Sequence, residues 1–425
     1  MSFNTISVIG LGYIGLPTAA MFASKGKKVI GVDVNQYAVD IINSGKIHII
    51  EPELDVMVSE AVKKGFLRAT VSPKSADAFL IAVPTPFLPK DSDDTLPQPD
   101  VSYIKAAAKA LAKVLKQGDL VILESTSPVG ATEQMAAWLA EERIDLTFPQ
   151  THGDESDIRI AYCPERVLPG CVVRELVKND RVIGGMTNSC SVAATELYRI
   201  FVEGDCVVTN ARTAEMAKLT ENASRDVGIA FANELSIICD RLDIDTLELI
   251  RLANRHPRVN ILQPGCGVGG HCIAVDPWFI VSQNPSDANL IRTARQVNDH
   301  KPVWVVDKIK SAVLAFLNES SLKEESDVSI ACYGLAFKPN IDDLRESPAL
   351  LIARTLASAH LGRVYAVEPN IENYEGVEFD LVNSEFALAE ADIHVFLVKH
   401  TQFEGLKIGS QPYIDVCGLF HGERL

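Results

Sequence analysis

What this 425-residue chain lacks narrows it first. No apolar run approaches the roughly 18–20 residues that a membrane span requires, so a membrane-embedded protein is not expected. The segment Met1-Ser2-Phe3-Asn4-Thr5-Ile6 has no cationic stretch ahead of an apolar one, so no signal peptide is expected and a cytoplasmic location is. Cations are few and scattered: 40 Lys and Arg face 56 Asp and Glu, a formal net charge of −16. Binding to a phosphate backbone depends on clustered cations that release counterions, so neither nucleic acid nor an anionic membrane surface is an expected partner. The nine cysteines contain no CxxC pair and are odd in number, which suits reduced thiols better than a disulfide framework. The nine histidines show neither HExxH nor paired Cys/His spacing, so no metal is expected. Low-complexity segments and long linkers are missing too. What remains is an ordinary globular composition, 47% hydrophobic and 23% charged, long enough for two or three domains.

Along the chain, short apolar runs alternate with amphipathic stretches, the pattern of a parallel sheet covered by helices. Strands are expected at 6–10, 28–33, 78–84 and 119–125, with helices over 101–116 and 131–142. Pro84, Pro86, Pro89, Pro97 and Pro99 punctuate 85–100, which is therefore expected as a surface loop beside a strand end. Residues 211–242 contain no proline, and Met216, Leu219, Ala223, Val227 and Ala230 recur at helical spacing. A helix of about 30 residues would span roughly 45 Å, a length that suits linking domains or meeting a second subunit. After a glycine-rich loop and more helix, strands are expected again at 328–333, 363–367 and 393–398. There Ser329-Ile330-Ala331-Cys332-Tyr333-Gly334 echoes Ser7-Val8-Ile9-Gly10, and Val364-Tyr365-Ala366-Val367-Glu368 echoes Val29-Ile30-Gly31-Val32-Asp33.

Gly10-Leu11-Gly12-Tyr13-Ile14-Gly15 follows the first expected strand directly and opens a helix near Leu16. In such a turn Gly10 bends the chain, Gly12 lets backbone N–H groups approach a pyrophosphate, and Gly15 allows helix to pack on sheet. The helix N-terminus adds N–H groups and partial positive charge. Asp33 ends the second strand, where a carboxylate can accept from both ribose hydroxyls and would repel a 2′-phosphate. NAD is thus favoured over NADP; FAD stays open on the turn alone, although nothing else suggests a flavin. The expected fold is α/β: two doubly wound Rossmann-like domains, 1–210 and 311–425, joined by a helical central domain, 211–310, with the long helix and the glycine-rich loop.

That loop reads Gly265-Cys266-Gly267-Val268-Gly269-Gly270-His271-Cys272-Ile273-Ala274-Val275-Asp276-Pro277. A lone cysteine is usually a small buried hydrophobe. Cys272, however, ends a run of four glycines, where backbone can pass close to a ligand, and Asp276 follows by four residues. If a helical turn forms there, thiol and carboxylate share a face. Spacing leaves a reactive and an inert Cys272 both open.

The motifs together resemble the UDP-sugar 6-dehydrogenases, the family containing UDP-glucose dehydrogenase. The likeness runs through the glycine turn at 10–15, Ser125-Thr126-Ser127-Pro128-Val129, Cys163-Pro164-Glu165, Ala214-Glu215-Met216-Ala217-Lys218 with Asn222, the run 267–276, and Gly334-Leu335-Ala336-Phe337-Lys338 through Arg345. Residues 269–278 look like the branch acting on 2-acetamido sugars. The resemblance implies a four-electron, NAD-dependent oxidation of a C6 alcohol to a carboxylate. The implied substrate is UDP-N-acetyl-D-mannosamine, with UDP-N-acetylglucosamine or UDP-glucose as alternatives, and the implied product serves surface polysaccharide such as enterobacterial common antigen.

Such chemistry needs a covalent hold between two hydride transfers, which a thiolate supplies through a thiohemiacetal and a thioester. The resemblance gives that part to Cys272. It assigns Lys218 and Asn222 to the oxyanion, Asp276 to a general base acting through a water positioned with Thr126, and Glu165 to thioester hydrolysis. Gly10, Gly12, Tyr13, Ile14, Gly15, Asp33, Thr85 and Thr126 would border NAD, which Arg345 would reach from the third domain. Lys338 would meet the UDP-sugar, with Glu165, Lys218 and Asn222 beside it, and Arg258 would cross into a neighbouring copy's sugar site, making the active form at least a dimer. Plainer readings stand beside these. Lys218 can be a solvated helix charge, Thr126 the start of a turn, Glu165 half of a surface ion pair with Arg166, and Arg258 a local loop contact. His271 adjoins the thiol but is not expected to be its base. A two-electron hydroxy-acid dehydrogenase and a non-catalytic sensor are the rival functions; Cys272 in its glycine loop and the third domain argue against the first, and retention of nucleophile, base and oxyanion groups together against the second.

Overall fold

In the computed structural model, which describes residues 3–49, 51–89, 96–167, 170–270, 272–319, 324–371, 374, 376 and 378–420, the apolar runs become strands buried on both faces. By its contacts the chain divides into two compact units, Met1–Thr220 and Glu221–Leu425. The helix Ala211–Arg241 runs through the boundary, and its 31 residues match the stretch read from spacing.

The first unit is built on an eight-stranded sheet. Its strands are β1 Thr5–Ile9, β2 Lys28–Val32, β3 Leu67–Thr70, β4 Ala78–Ile81, β5 Leu120–Leu123, β6 Arg159–Tyr162, β7 Arg181–Gly185 and β8 Cys206–Asn210, in the order β3-β2-β1-β4-β5-β6-β7-β8. Neighbours run parallel except β6 and β7, which pair antiparallel. Side chains alternate with period two. Ala78, Leu80, Leu120 and Ile122 enter one core, while Phe79, Ile81, Val121 and Leu123 enter the other. Burial on both faces is why these segments read as unbroken apolar runs.

The second unit holds a five-stranded parallel sheet: β9 Ile330–Tyr333, β10 Val364–Val367, β11 Asp380–Leu381, β12 Ile393–Phe396 and β13 Tyr413–Asp415, ordered β11-β10-β9-β12-β13. Counted from its own first strand this is the order 3-2-1-4-5, the same as the first five strands of the other unit. The echo between 329–334 and 7–10 is therefore a repeat in the fold. A second 31-residue helix, Asn289–Glu319, carries Pro302 in its interior. It is tied to Ala211–Arg241 by two buried polar pairs, Arg295 to Asp226 at 2.6 Å and Asn233 to Asn298 at 2.9 Å, and by a part-buried one, Lys301 to Ser236 at 2.6 Å.

Candidate active site

The glycine turn of the first unit follows β1 as its spacing predicts. The Gly10 N–H donates to Val32 O at 2.8 Å, and φ at Gly10 is +91°. A Cβ there would sit 2.5 Å from Ala82 O, and one on Gly15 would sit 1.8 Å from Gly10 O, whereas one on Gly12 would meet nothing within 4 Å. Helix Gly15–Ser24 begins with no side-chain cap and no acidic residue in its first turn. An anion can therefore approach without competition from a capping carboxylate. Tyr13 is 42% exposed beside it. Half-buried Asp33 takes the Leu11 N–H on Oδ2 and the Asn35 N–H on Oδ1, both at 2.9 Å. Each oxygen keeps a further lone pair, so these residues fit an NAD ribose and pyrophosphate. Across the strand ends, the Thr85 hydroxyl donates to the Thr126 carbonyl at 2.6 Å. The stretch 85–100 is partly ordered by the bridge Phe87 to Pro99, and 90–95 lie outside the described residues.

Glu215, in the Ala-Glu-Met-Ala-Lys motif, is a fully buried carboxylate that sequence reasoning left without a role. It accepts from the N–H groups of Gly130 and Thr132 at 2.6 and 2.8 Å and from the Thr132 hydroxyl at 2.6 Å. It thereby caps helix Ala131–Glu142 and fastens the start of the long helix to the loop carrying Thr126. Lys218, half-buried, stands three residues further along that helix.

Glu165 corrects a plainer reading. It is not part of a surface pair with Arg166: its partner is Arg181, at 2.7 Å, with both side chains buried, and Arg166 contributes only its backbone N–H, also at 2.7 Å. The antiparallel register, in which Ala161 faces Gly185, brings residue 181 opposite residue 165. That turn of direction is not visible in the sequence. Next to the pair lies Glu124, which accepts from Tyr198 Oη at 2.6 Å. Burial pushes Glu124 up from 4.5 to about 7, although Arg181 pulls the other way. The Arg181 guanidinium also lies 5.1 Å from the centre of the Tyr198 ring.

In the second unit the expected helical turn forms, since the N–H groups of Val275 and Asp276 both donate to Cys272 O, at 3.1 and 2.9 Å. Cys272 is exposed, whereas Asp276 opens helix Asp276–Gln283 and is 3% exposed. Asn222 Nδ2 donates to Asp276 Oδ2 at 2.5 Å, so an amide of the long helix holds the carboxylate of the cysteine turn. His271 lies outside the described residues. The glycines before Cys272 also answer a packing demand within the chain. A Cβ on Gly269 would fall 2.4 Å from Glu346 O and 2.9 Å from Phe337 Cβ, and one on Gly270 would fall 2.9 Å from Phe337 Cε2. The close approach is to the chain's own segment around Lys338.

Cys272 and Cys171 are the exposed thiols; Cys163, Cys190, Cys239, Cys266 and Cys332 are buried, and Cys206 and Cys417 are intermediate. Burial pushes Cys163, Cys266 and Cys332 up to about 12, which makes them poor nucleophiles. Lys338 is half-buried, Arg258 is exposed on its loop, and the Arg345 guanidinium is engaged with Asp343 at 2.5–3.0 Å. Among the described residues no group of three or more His, Cys, Asp and Glu is placed to hold a metal, and no helix is long and apolar enough to cross a membrane.

Family models match along the chain: the UDP-glucose/GDP-mannose dehydrogenase family NAD binding domain at residues 4–202, its central domain at 212–300 and its UDP binding domain at 331–420. The chain is 64% identical to the UDP-N-acetyl-D-mannosamine dehydrogenase of Yersinia pestis, over 99% of this chain and 100% of that one. It is 61% identical to the NDP-N-acetyl-D-galactosaminuronic acid dehydrogenase of Ralstonia solanacearum, over 100% and 98%. A solved structure of the UDP-D-ManNAc dehydrogenase from Pyrococcus horikoshii superposes with a TM-score of 0.85 at 38% identity, covering 98% of this chain and 96% of that one.

Proposed function

The chain belongs to the UDP-glucose/GDP-mannose dehydrogenase family, and from that premise we propose that it oxidises the C6 alcohol of UDP-N-acetyl-D-mannosamine to the uronate in two NAD-dependent steps. The observation that supports the chemistry best is the Cys272–Asp276 turn, with an exposed thiol and a buried carboxylate hydrogen-bonded to Asn222.

Bound NAD supplies a hydride acceptor that takes one hydride at a time, so a four-electron oxidation uses two NAD per sugar. The Cys272 thiolate adds to the C6 aldehyde, forming a C–S bond and leaving charge on the former carbonyl oxygen. Lys218 and Asn222 stabilise that oxygen, and Lys218 favours the thiolate. When the thiohemiacetal has lost its hydride, the product is a thioester to Cys272. A water deprotonated by Asp276 attacks it, the C–S bond breaks, and the thiolate leaves with the sugar carboxylate formed. Asn222 holds Asp276 ready for that proton. Glu165, paired with Arg181, supports the hydrolytic step, and Thr126 aligns the water. Lys338 and Arg258 bind the UDP-sugar, the latter from a neighbouring copy, so the working form is at least a dimer. Asp33 and the turn from Gly10 to Gly15 hold NAD, joined by Tyr13, Ile14, Thr85 and Arg345. The reaction takes place in the cytoplasm, and its product serves surface polysaccharide.

A galacto-configured 2-acetamido sugar is a second reading, favoured by the similarity to the Ralstonia enzyme, which nearly equals that to the Yersinia one. The test counts NADH formed per limiting sugar with UDP-N-acetylmannosamine, UDP-N-acetylgalactosamine, UDP-N-acetylglucosamine and UDP-glucose. Two NADH per sugar, with the manno substrate strongly preferred and acid formation abolished in Cys272→Ala, is the expected result. One NADH per sugar, or full turnover by Cys272→Ala, overturns the mechanism.

A further inference from the structure

The second unit contains a buried polar circuit that the proposed reaction does not use. Glu368 follows β10, and its side chain and that of His400 are both fully buried. Glu368 Oε2 accepts from the N–H groups of Leu335 and Ala336 at 2.8 and 3.0 Å and meets His400 Nε2 at 3.0 Å. Its Oε1 accepts from the backbone N–H and the side-chain Nδ2 of Asn370, at 3.1 and 3.0 Å. On the other side of the ring, the backbone N–H of Asn340 points at His400 Nδ1 at 2.9 Å, and Asn370 Nδ2 lies at the same distance.

An amide N–H can only donate, so Nδ1 must be the acceptor and the ring proton must sit on Nε2, facing Glu368. His400 is therefore held as one neutral tautomer that ties a carboxylate to a backbone amide. The two ends of segment 335–340 are fixed by this circuit: Leu335 and Ala336 on Glu368, Asn340 on His400. Asn340 has φ +61° and takes the Thr401 N–H on its own Oδ1 at 2.9 Å, so its conformation is held from two sides. Lys338 lies between the fixed ends, and Phe337 beside it meets the glycines before Cys272.

We propose that His400 is a positioning residue for UDP-sugar binding, setting the shape of segment 335–340 and hence the place of Lys338. The proposal rests on the reading of residues 331–420 as the UDP-binding region. It is specific to one tautomer: a side chain of equal bulk without an acceptor facing Asn340 takes the partner from the Asn340 N–H, leaves Asn370 Nδ2 with Glu368 alone, and releases the segment.

The test titrates the full chain calorimetrically with UDP alone and, separately, with NAD, comparing the native protein with His400→Phe and His400→Gln. His400→Phe is expected to weaken UDP by about tenfold, the loss of one well-made buried hydrogen-bonding group. NAD affinity is expected to stay within about twofold, and His400→Gln, whose amide keeps an acceptor and a donor, to recover part of the loss. Long-range ¹⁵N NMR of the native ring should show a bare Nδ1. Unchanged UDP affinity in His400→Phe overturns the proposal, as does an equal loss of UDP and NAD affinity. If His400→Phe does not fold, half-buried Asn370→Ala carries the test: it removes one donor from Nδ1 and should weaken UDP about threefold, and no change overturns the proposal. Failure of the native chain to bind UDP is a separate result, which overturns the reading of 331–420 and the proposal with it.

Discussion

The two sheets begin alike and end differently. Gly10 has φ +91° and Gly334 +90°; each donates its N–H to the end of the neighbouring strand, Val32 O or Val367 O, at 2.8 Å. The next residue, Leu11 or Leu335, gives its N–H to the acid that follows that strand, Asp33 or Glu368, at 2.9 and 2.8 Å. Here the likeness stops. Asp33 remains half-buried with lone pairs to offer, whereas Glu368 is covered by His400 and Asn370. The same turn thus becomes open to a ribose in one unit and an internal clamp in the other. Function follows from what stands over the carboxylate, not from the turn. The sheets also differ in extent: the first continues through β6, β7 and β8, and its change of direction brings Arg181 to Glu165 and, near them, Glu124.

The comparison breaks or sharpens under mutation. The largest effect should come from Gly10→Ala and Gly334→Ala. Each puts a Cβ 2.5 Å from a neighbour, Ala82 O or Val398 Cβ, at positive φ. Each should cost about 3 kcal/mol or more in urea unfolding, and a mild effect at one site alone would end the claim of equivalence.

Next comes Glu124→Gln, which probes the strands that the second sheet lacks. Burial raises Glu124 from 4.5 to about 7, so its favourable contribution is complete below pH 4.5 and is lost as pH rises through about 7. Native stability should therefore fall by about 3 kcal/mol across that window, and the glutamine variant, still able to accept from Tyr198, should flatten the fall. An unchanged profile would mean that Glu124 is not the titrating group.

The smallest effects separate the two acids. Asp33→Asn should raise the KM for NAD by about tenfold with little change in stability. Glu368→Gln should instead lower stability by about 2 kcal/mol, the loss of a buried charged acceptor, and leave the KM for NAD unchanged. Although burial pushes Glu368 up, His400 and the backbone N–H groups outweigh it and hold the carboxyl below its usual value. A matching pair of phenotypes would erase the distinction.

Legibility followed range. The turn from Gly10 to Gly15, Asp33 and the helix beginning at Ala211 announce themselves through spacing within one element, and the repeat at 329–334 was visible as a short echo. β3 and β8 were not foreseen, because four or five residues with partly exposed faces give little apolar signal. The full length of helix Asn289–Glu319 was obscured by Pro302. The plainer reading of Glu165, a pair with Arg166, misses Arg181 because that partner is set by an antiparallel register between strands with little local signal. The glycines before Cys272 suggest room for a ligand by spacing, but that they also make room for Phe337 and Glu346, about 70 residues later, is invisible locally. Glu215 and His400 went unnoticed for the same reason: a buried polar residue declares its role only through partners that folding brings to it.

The distribution of thiols has a practical side. A reagent such as iodoacetamide, applied to the folded chain, meets two exposed cysteines, Cys171 and Cys272, while five others are buried. With Cys171→Ser in place, early alkylation reports on Cys272, and under the mechanism proposed above its stoichiometry counts the competent sites in a preparation. The same exposure sets how the protein ages. Peroxide in storage should reach Cys272 well before the buried thiols, so the proposed role of Cys272 predicts that activity declines while spectra and melting curves still look native, and that a reductant added early restores it.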